Sequence, residues 1–413
     1  MKIGILSREY PPLTHVGGIA TYSAAAAGLL AAHGHEVNVV CSGVEDGIES
    51  AGGITVHRVK MREHHFPGGR LFYPYRAWYR KHLPHYLEAL TWAGTAAHYL
   101  STRLDPEGFD AWEYPETGGE GAFFPGSDRS PHRPRLICRI HTGWMDAYAE
   151  NRWERALLLR LQRKACLRSD RLVSPSAFMA GGYVRDTLGV RRPVAVSRNP
   201  IQLWDRPIVW EAKDVNHMLY VGRIEHRKGL PVLLKALEEL GEEARGITLR
   251  VVGQMHPPTR ELDRRCQEFF AARLAEHGLS GGGGGYRLEY AGPCGHADMP
   301  GHYDWAGIQV LPSLMENYPY AALEGLSRGC YLIGSDVGGI PEIIDRPGRG
   351  LLFAPENSTQ LAGKIRECRR RDRGISEGMR DTAEEIRSEF DPETCYLRLM
   401  EAYGADLPQR VGG

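Results

Sequence analysis

The stretch that most constrains the fold is LPSLMENYPYAALEGLSRGCYLIGSDVGGIPE, which runs from Leu311 to Glu342. The apolar run Ile308 to Pro312 leads into it and predicts a strand that is buried on both faces. Pro319 suits a first helical turn, because proline has no N–H and the first helical N–H groups have no intrahelical partner. The order strand, turn, helix, strand is the right-handed parallel unit of α/β proteins.

Two glutamates flank the start of this helix, which we predict to begin near Tyr318 and to stop at Gly329. Glu316 lies at the carboxyl end of the first strand, and Glu324 lies inside the helix. Helix N-termini bind anions through their N–H groups and the helix dipole, so a phosphate bound here would lie beside both carboxylates. A glutamate can accept from sugar or ribose hydroxyls. The spacing alone also allows a capping Glu316 and a solvent-facing Glu324.

Glu316, seven intervening residues and Glu324, followed by SDVGGIPEII, resemble the donor-site signature of retaining GT-B glycosyltransferases of family 4. That family includes sucrose-phosphate synthases and mannosyltransferases. Its members also carry Gly-Arg, four residues and Lys-Gly, and this chain has GRIEHRKG, with Arg223 and Lys228 at those places. The resemblance implies an α/β fold of the GT-B type, with two Rossmann-like domains facing an interdomain cleft.

The resemblance also implies roles for the matching residues. Arg223 and Lys228 are expected to stabilise the charge that develops on the departing diphosphate. Glu316 is expected to bind hydroxyls of the donor sugar, and Glu324 those of the ribose. Further donor-binding residues implied in this way are Gly17, Gly18, Pro293, Cys294, Asn317, Tyr318, Tyr320 and Ala321. Relatives often read Glu-x-Phe-Gly where this chain has Pro319, so one backbone N–H is missing here.

A βαβ unit opens the chain, with a strand over Ile3 to Ser7, a helix over Ile19 to His33 and a strand over Val37 to Cys41. The turn before the helix contains Gly17 and Gly18 but lacks the dinucleotide-binding GxGxxG pattern. Such a turn can be purely structural. In the resembling family, this loop faces the diphosphate of the donor.

Three further polar residues follow predicted strands of the first half. His141 comes after the strand Leu136 to Ile140, at the end where open α/β sheets bind ligands. An isolated histidine is more often structural, but the resemblance implies that His141 contacts the donor sugar. Many relatives have Asp where this chain has Thr142. Glu113 and Glu116, in FDAWEYPETGGE, are candidates for contact with an acceptor hydroxyl.

The chain length of 413 residues, 42% of them hydrophobic, suffices for two or three globular domains. We predict an acceptor-binding domain over residues 1–201, a linker over 202–216 and a donor-binding domain over 217–387. A last helix, at about 388–413, is expected to pack back on the first domain, as in GT-B enzymes.

Charge and hydropathy restrict the partners. The net charge is zero and the pI is near 7.3, which disfavours a nucleic-acid partner. No apolar stretch is long enough to span a membrane, so we expect a cytoplasmic protein. The basic and aromatic stretch Arg58 to His82 suits an acceptor contact, a membrane surface or an ordinary solvated loop and helix. We expect no stable membrane attachment and a small soluble acceptor; the sequence does not predict the oligomeric state.

The partner expected from the resemblance is a nucleotide-diphosphate sugar, a UDP-sugar first and a GDP-sugar next. No metal and no cofactor are expected, because Arg223, Lys228 and a helix N-terminus can meet the leaving group's charge. Relatives retain anomeric configuration by same-face attack, with the departing phosphate accepting the acceptor's proton, so no protein nucleophile is nominated. Two alternatives stay open: a nucleotide-sugar 2-epimerase of the same fold and a noncatalytic nucleotide-sugar sensor.

Overall fold

A computed structural model of the chain describes residues 1–12, 17–62, 75–126, 133–141, 149, 151–255, 257–258, 260–278, 285–370 and 372–404, without the side chains of 372–377. It contains two compact units. Unit 1 consists of Met1–Gln202 together with Pro392–Gly413, and unit 2 consists of Leu203–Asp391. Each unit has its own, largely parallel sheet, so the predicted α/β class is confirmed.

Unit 1 contains an eight-stranded sheet in the order β3-β4-β2-β1-β5-β6-β7-β8, in which only β3 is antiparallel to its neighbour. Its strands are β1 (Lys2–Leu6), β2 (Glu36–Gly43), β3 (Gly47–Ala51), β4 (Ile54–Lys60), β5 (Ala111–Pro115), β6 (Arg135–Arg139), β7 (Arg171–Ser174) and β8 (Val194–Val196). Its first helices are α1 (Gly18–Ala32), α2 (Arg76–His82), α3 (Pro84–Arg103) and α4 (Arg152–Arg168). The strand order reverses at β1, which lies between β2 and β5.

The core of unit 1 explains why its central strands are apolar on both faces. Helix α3 packs its buried Trp92 and Ala96 into the same cluster as Trp112 of β5. Gly4 of β1 lies directly under that indole, because a Cβ at Gly4 would come within 2.2 Å of the Trp112 ring. A larger residue at position 4 would therefore push the strand away from its neighbour.

Unit 2 contains a six-stranded parallel sheet in the order β11-β10-β9-β12-β13-β14. Its strands are β9 (Asp214–Val221), β10 (Thr248–Val252), β11 (Arg287–Gly292), β12 (Ala306–Leu311), β13 (Tyr331–Ser335) and β14 (Gly350–Phe353). Its helices are α5 (Leu230–Leu240), α6 (Glu261–His277), α7 (Met299–Trp305), α8 (Tyr320–Ser327), α9 (Ile340–Ile343), α10 (Ser358–Arg370) and α11 (Asp372–Glu389). Here the order reverses between β9 and β12.

The predicted linker, 202–216, belongs from Leu203 onward to unit 2. The guanidinium of Arg328 donates to the carbonyls of Arg206 and Pro207, at 2.6 and 2.8 Å. The indole of Trp204 donates to the carbonyl of His296 at 2.8 Å. Since strand β9 already begins at Asp214, the segment is part of the folded unit rather than a free connection.

The last helix, α12 (Pro392–Tyr403), is grouped with unit 1. The ring of Tyr396 stacks on His33 at the end of α1, with centroids 3.7 Å apart. Arg135 of β6 donates to the carbonyl of Tyr403 at 2.8 Å. The helix is shorter than the range 388–413 expected from the sequence, and residues 405–413 lie outside the described part of the chain. None of the described helices combines the length and apolarity that crossing a membrane requires.

Candidate active site

The two sequence motifs of unit 2 meet where its strand order reverses. The turn GRIEHRKG follows β9, and the loop from Ser313 to Pro319 follows β12, the strand beside it. The backbone N–H of Leu314 donates to the carbonyl of Arg227 at 2.7 Å and joins the two segments. This is the carboxyl edge of the sheet at a switch point, the place where open α/β sheets bind ligands.

Glu316 lies at the centre of this arrangement and is only 8% exposed. Its Oε1 accepts from Lys228 Nζ at 2.5 Å and from Ser313 Oγ at 2.9 Å, with Arg227 Nη1 at 3.8 Å. Burial by itself raises the pKa of Glu316, but the charges of Lys228 and Arg227 and these hydrogen bonds lower it overall. The carboxylate is therefore ionised near neutral pH and can only accept hydrogen bonds.

Lys228 pairs directly with the Glu316 carboxylate. The sequence did not predict this pairing. Burial lowers the pKa of its ammonium group, and the Glu316 charge opposes the shift. About a fifth of the side chain, 21%, is still exposed. The ammonium group can therefore meet a ligand while it stays paired with Glu316.

Arg223 lies at the start of the same turn and is half exposed, at 50%. Its Nη2 is 3.3 Å from Glu225 Oε1, and Arg227 Nη2 binds the same oxygen at 2.6 Å. Arg227 was missed by the sequence analysis. It occupies an unspecified position of the motif, and only its placement against Glu316 shows that it adds a third cation here.

Two glycines allow these segments to approach so closely. Gly338, in the Gly-rich turn after β13, has φ +59°, and a Cβ there would lie 1.6 Å from the carbonyl oxygen of Glu316. Gly229 has φ +68°, and a Cβ there would lie 1.8 Å from the carbonyl oxygen of Pro312. Both positions need glycine for conformation and for space. The SDVGGIPE segment thus supports the Glu316 loop from behind.

Helix α8 begins at Tyr320, with Pro319 at the N-cap, and not near Tyr318 as predicted. Asn317 and Tyr318 belong to the preceding loop, where both are nearly buried. Tyr320 and Ala321 are the first two helical residues. The positive end of the helix dipole is therefore directly after the Glu316 loop.

Glu324 is held by a tyrosine from another helix. Tyr303 of α7, fully buried, donates its hydroxyl to Glu324 Oε2 at 2.6 Å. Burial raises the pKa of the Glu324 carboxyl, and the bond from Tyr303 opposes that shift. Tyr303 had no sequence signal, because its role depends on two helices meeting. The tyrosine fixes one carboxylate oxygen and so orients the side chain.

Pro293 and Cys294 follow β11, whose last residue Gly292 has φ +74°. Cys294 is partly exposed and packs against the same apolar cluster as Tyr303. The segment with the predicted donor-binding residues Pro293 and Cys294 therefore lies on the side of unit 2 where Tyr303 holds Glu324.

In unit 1, His141 follows β6 and is 6% exposed. Its backbone N–H donates to Glu116 Oε2 at 2.7 Å, and its ring meets the ring of Tyr22 edge-on at 4.8 Å. Burial first, and the charge of Arg139 second, lower the pKa of His141 to about 3. The imidazole is therefore neutral and can both donate and accept a hydrogen bond.

Glu113 and Glu116 are placed differently from what an acceptor contact needs. Glu113 is 2% exposed and pairs with Arg139 at 3.2 Å, while the fully buried Glu116 holds the backbone of His141. Their burial argues against the acceptor role suggested by the sequence. The neighbouring Glu120 was missed: it accepts from the backbone N–H of Arg8 at 3.2 Å, and burial raises its pKa to about 8.

Gly17 caps the N-terminus of α1 in an extended conformation, and Gly18 is the first helical residue, with open space where a Cβ would be. Residues 13–16, which precede this turn, lie outside the described residues, as does Thr142. Residues 63–74, the centre of the basic and aromatic stretch, also lie outside the described residues. At its start, Arg58 is buried and donates to the carbonyl of Pro11 at 3.0 Å, so this cation supports a loop.

Comparisons with known proteins found similarity to glycosyltransferases along most of the chain. Residues 17–200 match the family model described as glycosyl transferase 4-like domain, and residues 215–370 match glycosyl transferases group 1. An uncharacterized glycosyltransferase of Methanocaldococcus jannaschii is 24% identical over 387 residues, 88% of this chain and 87% of that protein.

Two solved structures share the fold over nearly the whole chain. Sucrose-phosphate synthase of Thermosynechococcus elongatus has a TM-score of 0.74 at 19% identity, and 98% of each chain is covered. HepE of Anabaena, solved with UDP and glucose, has a TM-score of 0.69 at 16% identity, covering 98% of this chain and 100% of that one.

Proposed function

The chain belongs to the family 4-like GT-B glycosyltransferases, and on that premise we propose that it is a retaining, metal-independent enzyme of family 4. Its donor is a nucleotide-diphosphate sugar, a UDP-sugar first and a GDP-sugar next. Its acceptor is a hydroxyl or other nucleophile of a small soluble molecule. The observation that carries this proposal is the contact between Lys228 and Glu316 at the switch point of unit 2.

The contact between Lys228 and Glu316 supports different roles for the two residues: Lys228 binds the diphosphate of the donor, and Glu316 binds its sugar. A diphosphate bound beside α8 would meet Lys228, the half-exposed Arg223 and the positive end of the helix. The hydroxyls of the attached sugar would then donate to the ionised Glu316. Cations that are in place before the reaction stabilise the leaving group's growing charge without reorganisation. This arrangement supports leaving-group stabilisation without a metal ion.

Glu324 suits the ribose of the nucleotide. Tyr303 occupies one of its oxygens and leaves the side chain oriented on α8, eight residues beyond Glu316. A carboxylate accepts from two vicinal hydroxyls, which ribose offers. The solved HepE complexes contain UDP and UDP-glucose, which supports testing a UDP-sugar first.

Retention of anomeric configuration is proposed from the resemblance in sequence. In that mechanism the acceptor attacks the same face of the sugar that the phosphate leaves, and the phosphate takes the acceptor's proton. Glu316 is engaged by Lys228, Arg227 and Ser313, which suits a binding role more than that of a nucleophile. His141, neutral and buried, suits hydrogen bonding to a sugar hydroxyl.

Thermal denaturation with UDP, GDP, ADP and TDP tests the donor class, because a ligand of the native state raises its stability by mass action. At a nucleotide concentration of about 100 Kd the gain is roughly 2.7 kcal/mol. We expect one nucleotide, UDP first, to raise the Tm of the wild type and to lose most of this effect in Lys228→Ala. If no nucleotide shifts the Tm, the proposed function is wrong.

A time course by NMR with the chosen nucleotide sugar separates the alternatives. Transfer needs an acceptor, so without one we expect only slow hydrolysis of the donor. Accumulation of the 2-epimer without acceptor would identify an epimerase. Binding with no turnover, with any of a panel of sugar acceptors, would identify a sensor.

A further inference from the structure

A buried ion pair in unit 1 has no role in the proposed reaction so far. Arg139, the last residue of β6, is fully buried, and its Nε donates to Glu113 Oε1 at 3.2 Å. Its Nη1 donates to the carbonyl of Ser197 at 3.4 Å and to Asn199 Oδ1 at 3.3 Å. Strand β5 and the segment after β8 therefore hold one guanidinium in place.

This guanidinium and His141 contact the same aromatic ring. The Arg139 Cζ atom is 4.6 Å from the centroid of the Tyr22 ring, and the His141 ring meets Tyr22 at 4.8 Å with the planes at 60°. A cation over a ring face and an edge-on aromatic neighbour are both favourable geometries. Tyr22 of α1 is thus packed between the ion pair and the imidazole.

The C-terminal helix reaches the same place. Tyr403, the last residue of α12, is 1% exposed. Burial first and the Glu113 carboxylate second raise the pKa of its hydroxyl, and the charge of Arg139 opposes the shift. The charges of Glu113 and Arg139 thus reach Tyr403, while the contacts of the cluster beside His141 are those of Arg139, Glu113 and Tyr22.

Stability alone is a weak reason to keep such a cluster. Burying two charges costs several kcal/mol per ion, and replacing a buried pair by apolar residues of similar volume is often neutral or stabilising. The pair does act on its neighbour: its cation helps to keep the imidazole neutral. A group that contacts a sugar hydroxyl must be held in one orientation to be effective.

We propose that Arg139, held by Glu113 and packed on Tyr22, is a positioning residue that fixes the His141 imidazole for contact with the donor sugar. This inference rests on the proposed role of His141.

The test is a double-mutant cycle with the pair variant Glu113→Leu/Arg139→Met, made in the wild type and in His141→Asn. Activity is the release of nucleotide from UDP-glucose, GDP-mannose or ADP-glucose, whichever the wild type hydrolyses. We expect the pair variant to lower kcat by at least about tenfold, with little change in the Kd of the free nucleotide. In the His141→Asn background the same replacement is expected to have no further effect, because coupled residues are not additive. An equal loss in both backgrounds, or none in the wild type, overturns the proposal.

Tyr396→Phe is the control for the pair variant, because it removes a hydroxyl of α12 that contacts His35, at 2.9 Å, and not the cluster. It is expected to leave kcat unchanged. A loss of kcat as large as in the pair variant would show that the effect is not specific to the cluster and would overturn the proposal.

A measurement without any donor separates this inference from the proposed function. The ring ¹⁵N signals of His141, assigned by their loss in His141→Asn, are expected to shift in the pair variant and to stay unchanged in Tyr396→Phe. Unchanged signals in the pair variant overturn the network even if the chain is a transferase. Shifted signals in a chain that transfers no sugar to any acceptor of the panel would support the network and contradict the proposed function.

Discussion

The two sheets place charge at their carboxyl edges in opposite ways. In unit 2, Arg223 and Lys228 are 50% and 21% exposed, so their charges can reach a ligand. In unit 1, Arg139 is fully buried and compensated by Glu113, and the group it adjoins, His141, is neutral. An accessible cation suits a phosphate, whereas a neutral imidazole suits a sugar hydroxyl. Similar sheet edges can therefore bind different kinds of ligand, depending on which of their charges are compensated by ion pairs within the unit.

The largest effect is expected from removing the accessible cations of unit 2. Lys228→Ala and Arg223→Ala should each lower kcat by roughly 10² or more, as loss of one stabiliser of transition-state charge does. Steady-state kinetics with the donor identified above measures this. Arg265→Ala, which removes an arginine on α6 that is 69% exposed and therefore more accessible than Arg223, should leave the rate unchanged. Wild-type rates in both site variants would show that accessible charge is not what distinguishes unit 2.

A smaller effect is expected at Glu324, where a tyrosine holds the acceptor group. Glu324→Gln keeps an oxygen for Tyr303 but loses the charge, so nucleotide binding should weaken by about tenfold, the difference between charged and neutral hydrogen bonds. Titration calorimetry with the free nucleotide measures the Kd. Glu289→Gln, on β11 and paired with Arg250, is the control. An unchanged Kd in Glu324→Gln would show that Glu324 does not bind the ribose.

Unit 1 should respond in stability, through its buried Glu120. Burial raises the folded-state pKa of this carboxyl to about 8, above its ordinary value of 4.5. The folded chain therefore keeps a proton that the unfolded chain releases, and stability is lost as pH rises from the lower value through the higher one. Glu120→Gln, which stays neutral, should raise Tm by several degrees above pH 8 and by little near pH 4.5.

The control for that prediction is Glu45→Gln, because Glu45 is exposed. It should leave Tm unchanged at both pH values. A Tm difference for Glu120→Gln that does not depend on pH would mean that this carboxyl is ionised in the folded state. The contrast between compensated charge in unit 1 and accessible charge in unit 2 would then not hold at Glu120.

The smallest effect is expected from chelation. If Arg223, Lys228 and the start of α8 supply the electrostatic stabilisation, excess EDTA should leave kcat within error of its untreated value. Assays before and after dialysis against EDTA measure this. Loss of activity that Mg²⁺ or Mn²⁺ restores would show that these cations do not suffice.

Much of the fold follows from local signals. Apolar runs, Gly and Pro indicated the strand and helix order around Glu316, and the GT-B class predicted by resemblance is confirmed by the structural neighbours. Errors occurred at boundaries: α8 begins two residues after the predicted Tyr318, and the predicted linker is packed on Arg328. The start of α8 and the packing of the linker both depend on contacts with residues that are distant in the sequence. A local hydrophobic periodicity carries no information about such contacts.

Local sequence signals were enough to place Arg223, Lys228 and Glu316 after strand ends of unit 2, Glu324 inside the helix that follows, and His141 after a strand end of unit 1. The partners of these residues depend on how each unit packs. Lys228 and Glu316 are 88 positions apart and meet because β9 and β12 are neighbours in the sheet. Tyr396 stacks on His33 only because α12 is grouped with unit 1. Local spacing sets what a turn can present, whereas burial and charge compensation depend on the whole packed unit.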